Sequence, residues 1–229
     1  MKKTLLLSGL LLALTASMAL AASPGGGINF NWGDCSLGTQ TYLKTWACNT
    51  NTLSGAIMYG SFAPSIDQPD FVGIEAVVDL QASAATLPAW WQLVNPTACR
   101  PAGLSPNADF TSGPFNCLDP WAGFAAGGIA AYQTTTTVPP VPNGLLYAAR
   151  LKVAYALADP SALAMATEYY GFKATLNGTK TVGTGLCAGC STPVNLVLNE
   201  IKSAGNLGSV ARNTTPISNT ALGWQARDA

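Results

Sequence analysis

The sequence predicts an all-β protein, an antiparallel β-sandwich of immunoglobulin-like or jelly-roll-like type with long loops and disulfides. Three observations carry this. Several segments alternate apolar and polar residues with period two, the mark of a half-buried strand. Gly, Pro and Asn clusters separate those segments, and helical periodicity is scarce beyond the first residues. Six cysteines follow an export signal.

The strands follow in chain order. INFNW at 28–32 and GAIMYGSFA at 55–63 are short β-rich runs. In VGIEAVVDLQ, Ile74, Ala76, Val78 and Leu80 share one face, and Glu75, Asp79 and Gln81 lie opposite. In LLYAARLKVAYAL, Tyr147, Ala149, Leu151, Val153, Tyr155 and Leu157 share a face, opposite Arg150 and Lys152. YYGFKATL places Tyr170, Phe172, Ala174 and Leu176 inward, with Lys173 and Thr175 outward. PVNLVLNEI at 193–201 completes the set. Asp159 before Pro160 suggests the cap of a short connecting helix. The turn leading into Tyr170 resembles a tyrosine corner, in which a hydroxyl ties down the arch between sheets. TTTTVPPVPNG at 134–144 is expected to be a stiff exposed loop, because its prolines favour an extended backbone.

The chain opens with Lys2 and Lys3, an apolar run from Leu5 to Leu14, and Ala19 and Ala21 in small-x-small spacing. This is the pattern of a signal peptide, expected to span 1–21 with a single domain at 22–229. The run is shorter than the ~20 residues of a bilayer span, so no membrane span is expected after cleavage. Export places the chain in the medium, the periplasm or at a bacterial cell surface, where disulfides persist.

Cleavage removes two lysines and no acid, leaving nine basic and eleven acidic residues. A nucleic-acid partner would need a basic patch, and none is evident. Charged residues make up 10% of the chain, far below the ~25% of typical soluble domains, which suits a protein that adheres to something. Histidine is absent, which removes Ser-His-Asp and Cys-His catalysis and His metal ligation together.

Cys35, Cys48, Cys99, Cys117, Cys187 and Cys190 allow fifteen pairings. Near-neighbour pairing is the economical expectation: Cys35 with Cys48, Cys99 with Cys117, Cys187 with Cys190. By loop-closure entropy the first two would each contribute about 3 kcal/mol and the tight one about 2. The CAGC at 187–190 precedes STPVNLVL, a strand sequence. A redox thiol needs a helix N-terminus to lower its pKa, so a structural staple is expected. Zinc would need further ligands at matching spacing, and no metal or other cofactor is expected.

Trp90 and Trp91 stand in tandem in LPAWWQLV. In a strand one would face outward, and with Trp121 it could stack on a sugar ring. The acids Asp34, Asp67, Asp70, Glu75, Asp79, Asp109, Asp119, Asp159, Glu168, Glu200 and Asp228 include no pair marked by context as a glycosidase dyad. DQPD at 67–70 offers two carboxylates in a turn without the dense ligand loop of an EF-hand.

The blocks NWGDC, TWACN, VVDLQ, LPAWWQL, Cys99-Arg100, TEYYGFK and TVGTGLCAGCSTPVNLVLN resemble those of a group of uncharacterised secreted bacterial proteins that carry them in the same order. That group often has a further cysteine near the position of Asn195. The resemblance implies export and no particular activity. The expected function is that of a non-enzymatic surface, matrix or binding module, with a glycan or another surface protein as partner. The rival expectations are a carbohydrate-binding protein and a polysaccharide hydrolase using a carboxylate pair.

Overall fold

The computed structural model describes residues 27–35, 41–134, 146–206, 210–212 and 221–225. The signal sequence and most of the proline-rich stretch at 134–144 lie outside the described residues. Two sheets face each other. One has the strand order β1 (Gly27–Trp32), β3 (Ile57–Ala63), β8 (Tyr169–Leu176) and β5 (Leu104–Asn107). The other runs β2 (Leu43–Lys44), β11 (Ala221–Trp224), β9 (Val194–Ala204), β4 (Gln68–Ala82), β7 (Leu146–Leu163) and β6 (Ala126–Gln133), with β10 (Val210–Arg212) also on β9. Pairing is antiparallel except between β11 and β2.

The period-two faces pack as the alternation requires. Ile74 of β4 and Ile201 of β9 both approach Gly171 of β8 across the sandwich. Phe62 of β3 meets Phe71 of β4 with ring centroids 6.1 Å apart. Phe172, Ala174 and Leu176 are buried, while Lys173 and Thr175 are half-buried. On the other face of the second sheet, Asp79 lies directly opposite Arg150. The guanidinium grips the carboxylate with two bonds, Nε to Oδ1 at 2.7 Å and Nη2 to Oδ2 at 2.8 Å. Asn199 donates to Oδ2 at 2.7 Å. Asp79 is thus buried but fully engaged, as a buried charge must be.

Two local expectations are corrected. No helix starts at Pro160, because β7 runs on to Leu163. Between the pairs Gly73–Ala156 and Phe71–Ser161 the register slips, and Pro160 falls in that irregularity. A proline without an N–H costs no ladder bond there. The tyrosine corner belongs to Tyr169, whose hydroxyl accepts from Ala164 N–H at 2.8 Å. Tyr170 instead donates to Asp34 Oδ1 at 2.9 Å and accepts from Asn116 N–H at 3.1 Å.

The near-neighbour cysteine pairing is also wrong. The bridges are Cys35–Cys117, Cys48–Cys190 and Cys99–Cys187, closing separations of 82, 142 and 88 residues. Loops this long are worth about 4.5–5 kcal/mol each in the chain-entropy account. The CAGC motif is therefore a double clamp, each cysteine bridging out to a different loop. Gly189 between them has φ +108°. A Cβ there would stand 2.4 Å from the Pro88 ring, so glycine lets this turn close on the 88–91 segment. Three disulfides in a β-rich chain are consistent with an extracellular or otherwise oxidising compartment. Among the described residues no helix is long and apolar enough to cross a membrane.

Candidate functional site

The tryptophans do not form the expected stacking platform. Ala89–Trp91 is a 3-10 turn. Successive side chains there diverge by about a third of a turn rather than pointing to opposite faces. Trp90 and Trp91 are both 0% exposed, and Trp121 is 1% exposed. Trp90, Trp91, Trp224, Trp32 and Trp46 make one aromatic cluster, in which Trp46 stacks on Trp224 at 4.3 Å and Trp90 meets Trp224 at 5.0 Å. The double clamp anchors it: Trp90 N–H donates to Ala188 O at 2.9 Å and Trp224 Nε1 to Cys190 O at 2.7 Å. Arg100, also buried, lies 3.6 Å over the Trp90 ring, and burial pulls its guanidinium down to about 10. This is a core.

The acids disperse as well. Asp67 accepts from Met165 N–H at 2.7 Å, and Asp70 Oδ2 from Asn206 N–H at 2.6 Å. Gln68, Pro69 and Asp70 are already in β4 rather than in a turn. Both carboxylates of DQPD thus tie down neighbouring loops, as ordinary acceptors do. Asp34 accepts from Tyr170 and from Asn116 Nδ2, and Glu168 from Asn29 Nδ2 at 2.9 Å and from the Ser61 hydroxyl. Glu168 also stands near Cys35 and Cys117. Both sulfurs are spent in a disulfide, and metal ligation needs thiolates.

What remains is a cavity of about 290 Å³ between the two sheets' edges. Pro106 and Asn107 at the end of β5, with Ala108 and Asp109 after it, form one wall. Gly123, Ala125 and Gly127, leading into β6, form another, and Tyr155 of β7 completes the lining. β5 and β6 are edge strands of different sheets. A gap between two edges is where a sandwich leaves polar backbone and side chains accessible.

Local turn chemistry sets the polar groups. Asn107 Oδ1 accepts from Asp109 N–H. Asp109 Oδ1 accepts from Thr111 Oγ1 at 2.6 Å and Thr111 N–H at 2.9 Å. These two Asx turns fix both side chains. The Thr111 bonds, with a smaller pull from the Lys173 charge, hold the Asp109 carboxyl below its ordinary value. Among the described residues nothing donates to Asp109 Oδ2 or accepts from the Asn107 amide NH₂.

Tyr155 is 5% exposed, and its hydroxyl is buried without a hydrogen-bond partner. Burial pushes that hydroxyl up to about 12, so it is a neutral donor at physiological pH. Trp121 packs against it at 6.2 Å, with its own Nε1 donating to Tyr170 O at 3.1 Å. Trp121 thus supports the site from behind and offers a ligand no ring face. Gly127 lies opposite Tyr155 in the β6–β7 ladder with φ +151°. A Cβ there would stand 2.0 Å from Ala154 O, so only glycine permits this close approach to the Ala154–Tyr155 backbone.

Asn107, Asp109 and Tyr155 share no motif in the sequence. Asn107 stood in no motif, Asp109 was one acid among eleven with no marked context, and Tyr155 belonged to the apolar face of a strand. No protein-family model matches the chain, and no curated protein matches it.

Proposed function

We propose that this chain is an exported, disulfide-stapled β-sandwich that acts as a binding module, with the 290 Å³ pocket as its ligand seat. The polar wall of the pocket carries the reading: Asn107 and Asp109, their Oδ1 atoms engaged in local turns, present the Asn107 amide and Asp109 Oδ2 there. The size falls just under the ~300–1,000 Å³ of small-molecule sites, which suits one small group. Asp109 is the sole acid among the eight lining residues. A carboxylate-pair hydrolysis would need a second one across the cleft, so the geometry favours binding over chemistry. The resemblance to secreted bacterial proteins and the signal-like start support placement outside the cell or at its surface.

The test is Asp109→Asn, which keeps the turn acceptor and removes the carboxylate, followed by thermal denaturation and by amide NMR against a set of hexoses, amino acids and polyols. The variant should be within about 0.5 kcal/mol of the parent in stability, since the side chain is exposed. The parent should show ligand-induced shifts at Asn107, Asp109, Gly123 and Gly127 that the variant loses or weakens. A parent unperturbed by every compound, or a variant that responds as the parent does, would overturn the proposal.

A further inference from the structure

We propose that the open edge of β6 is a self-association surface, and that its occupant is β6 of a second copy of this chain, added antiparallel across a two-fold axis. An edge strand leaves a row of backbone N–H and C=O groups without ladder partners, and folds blunt such edges with charge, proline, brevity or cover. The other edges among the described residues carry those devices. β5 has four residues and holds Pro106. β2 has two and ends in Lys44, and β10 has three and ends in Arg212. β1 is buried at Phe30, Asn31 and Trp32, and its Trp32 N–H already donates to Thr41 O at 3.0 Å. β6 has eight residues, none of them charged and none proline. Its register slips between Ile129 and Ala131, which leaves Ala130 exposed and without a partner on β7. Among the described residues no strand pairs with its other side, and β5 stands beside only its start, at the pocket. Gly127 has no side chain, so its exposure is exposure of backbone.

Charge selects a second copy as the occupant. Two identical edges bring identical charges together, so a charged edge repels itself. From residue 120 to residue 149 the sequence has no Asp, Glu, Lys or Arg. The chain beyond residue 21 has nine basic and eleven acidic residues, so long-range repulsion between copies is small as well. Antiparallel pairing is self-complementary about a two-fold axis, so the edge needs no other sequence to match it, and the assembly closes at two. The strand is already held in place: Ile129 packs against the core, and the Tyr132 hydroxyl donates to Trp91 O at 2.7 Å. A preorganised edge loses little freedom on pairing. Residues 128–133, clear of the pocket, make a short ladder with a small interface, so the pair is weak and concentration-dependent.

Sedimentation velocity of the full secreted protein, up to about 1 mM, should show a monomer–dimer equilibrium that goes no further. Hydrogen exchange of the 128–133 amides should slow as concentration rises, while the other edge strands exchange at an unchanged rate. Ala130→Lys places like charges near the centre of the pair and should weaken it about tenfold, and Ala130→Glu should do the same. An equal mixture of the two variants should pair again. Ala130 is exposed, so both variants should melt close to the parent. The exchange measurement needs no variant and decides the matter if either misfolds. A parent that stays monomeric, protection on a different strand, or oligomers that grow past two overturns the proposal. So does a pair indifferent to both substitutions, or a mixture that stays monomeric. Ligand-induced shifts at the pocket are read separately, and none of these outcomes bears on them.

Discussion

Arg150 and Asp79 show how one polar pair becomes fixed in a low-charge protein. Their period-two placement on the outward face gives both a common side of the sheet, and the β4–β7 register sets them opposite each other. The two ends differ in exposure: the Arg150 side chain is 27% exposed, that of Asp79 1%. Removing either partner is therefore not symmetric. Arg150→Ala strands a buried carboxylate that keeps the Asn199 amide as a donor and should cost about 3–5 kcal/mol. Asp79→Ala leaves a guanidinium that already reaches water and should cost less, about 1–3 kcal/mol. Urea denaturation of the two variants measures this, and equal costs would contradict the burial argument. The same logic separates Asp79 from Asp109. Asp79, on a strand face, is consumed by its neighbours, whereas Asp109, in the loop after β5, keeps Oδ2 outside its turn to Thr111.

At the scale of elements, the 88–91 turn and the CAGC clamp form a single unit. The turn turns both Trp90 and Trp91 inward, the Trp90 N–H reaches Ala188 O, and Cys187 and Cys190 fasten the same loop to Cys99 and Cys48. Gly189 is the contact point. Gly189→Ala should cost about 2–3 kcal/mol, through both the left-handed φ and the clash with Pro88. A melting temperature lowered with all three bridges intact by mass spectrometry is the expected result; an unchanged one would show that the turn can shift freely. Element by element, the central strands β4, β7, β8 and β9 were legible, because their alternation of apolar and polar residues is strong. β5 and β6 were not. LSPN carries a proline and AGGIAAYQ little alternation, and both are edge strands, where a ladder needs bonding on one side only. The pocket lies where those two meet their adjoining loops and β7, so it was invisible in the pattern for the same reason.

Over the whole molecule, buried tyrosines link the fold to alkaline pH. Burial raises Tyr42, Tyr59, Tyr132, Tyr155 and Tyr170 above the ordinary value of 10.0, and Tyr155 reaches about 12. Burial is the leading cause at each, with nearby carboxylates adding at Tyr42, Tyr59 and Tyr170 and Arg100 opposing at Tyr132. The folded state therefore holds protons that the unfolded chain releases first. The stability they contribute is intact below pH 10 and is lost as pH rises from 10 through 12. Tyrosinate absorbance should rise together with loss of the β-sheet circular dichroism signal. Full tyrosinate formation near pH 10 with the fold intact would refute the linkage.

The amino-acid order by itself determined the class of the fold, the inward faces of its central strands and the oxidising setting its cysteines imply. Those properties are local, since a period of two and an even cysteine count need no knowledge of what lies across the core. Tertiary structure decided which cysteine meets which, whether Trp90 and Trp91 see water, and where Asn107, Asp109 and Tyr155 converge. Each of these is a distance between segments far apart in the chain, set by sheet order and register, and alternation along one strand carries no information about its neighbour.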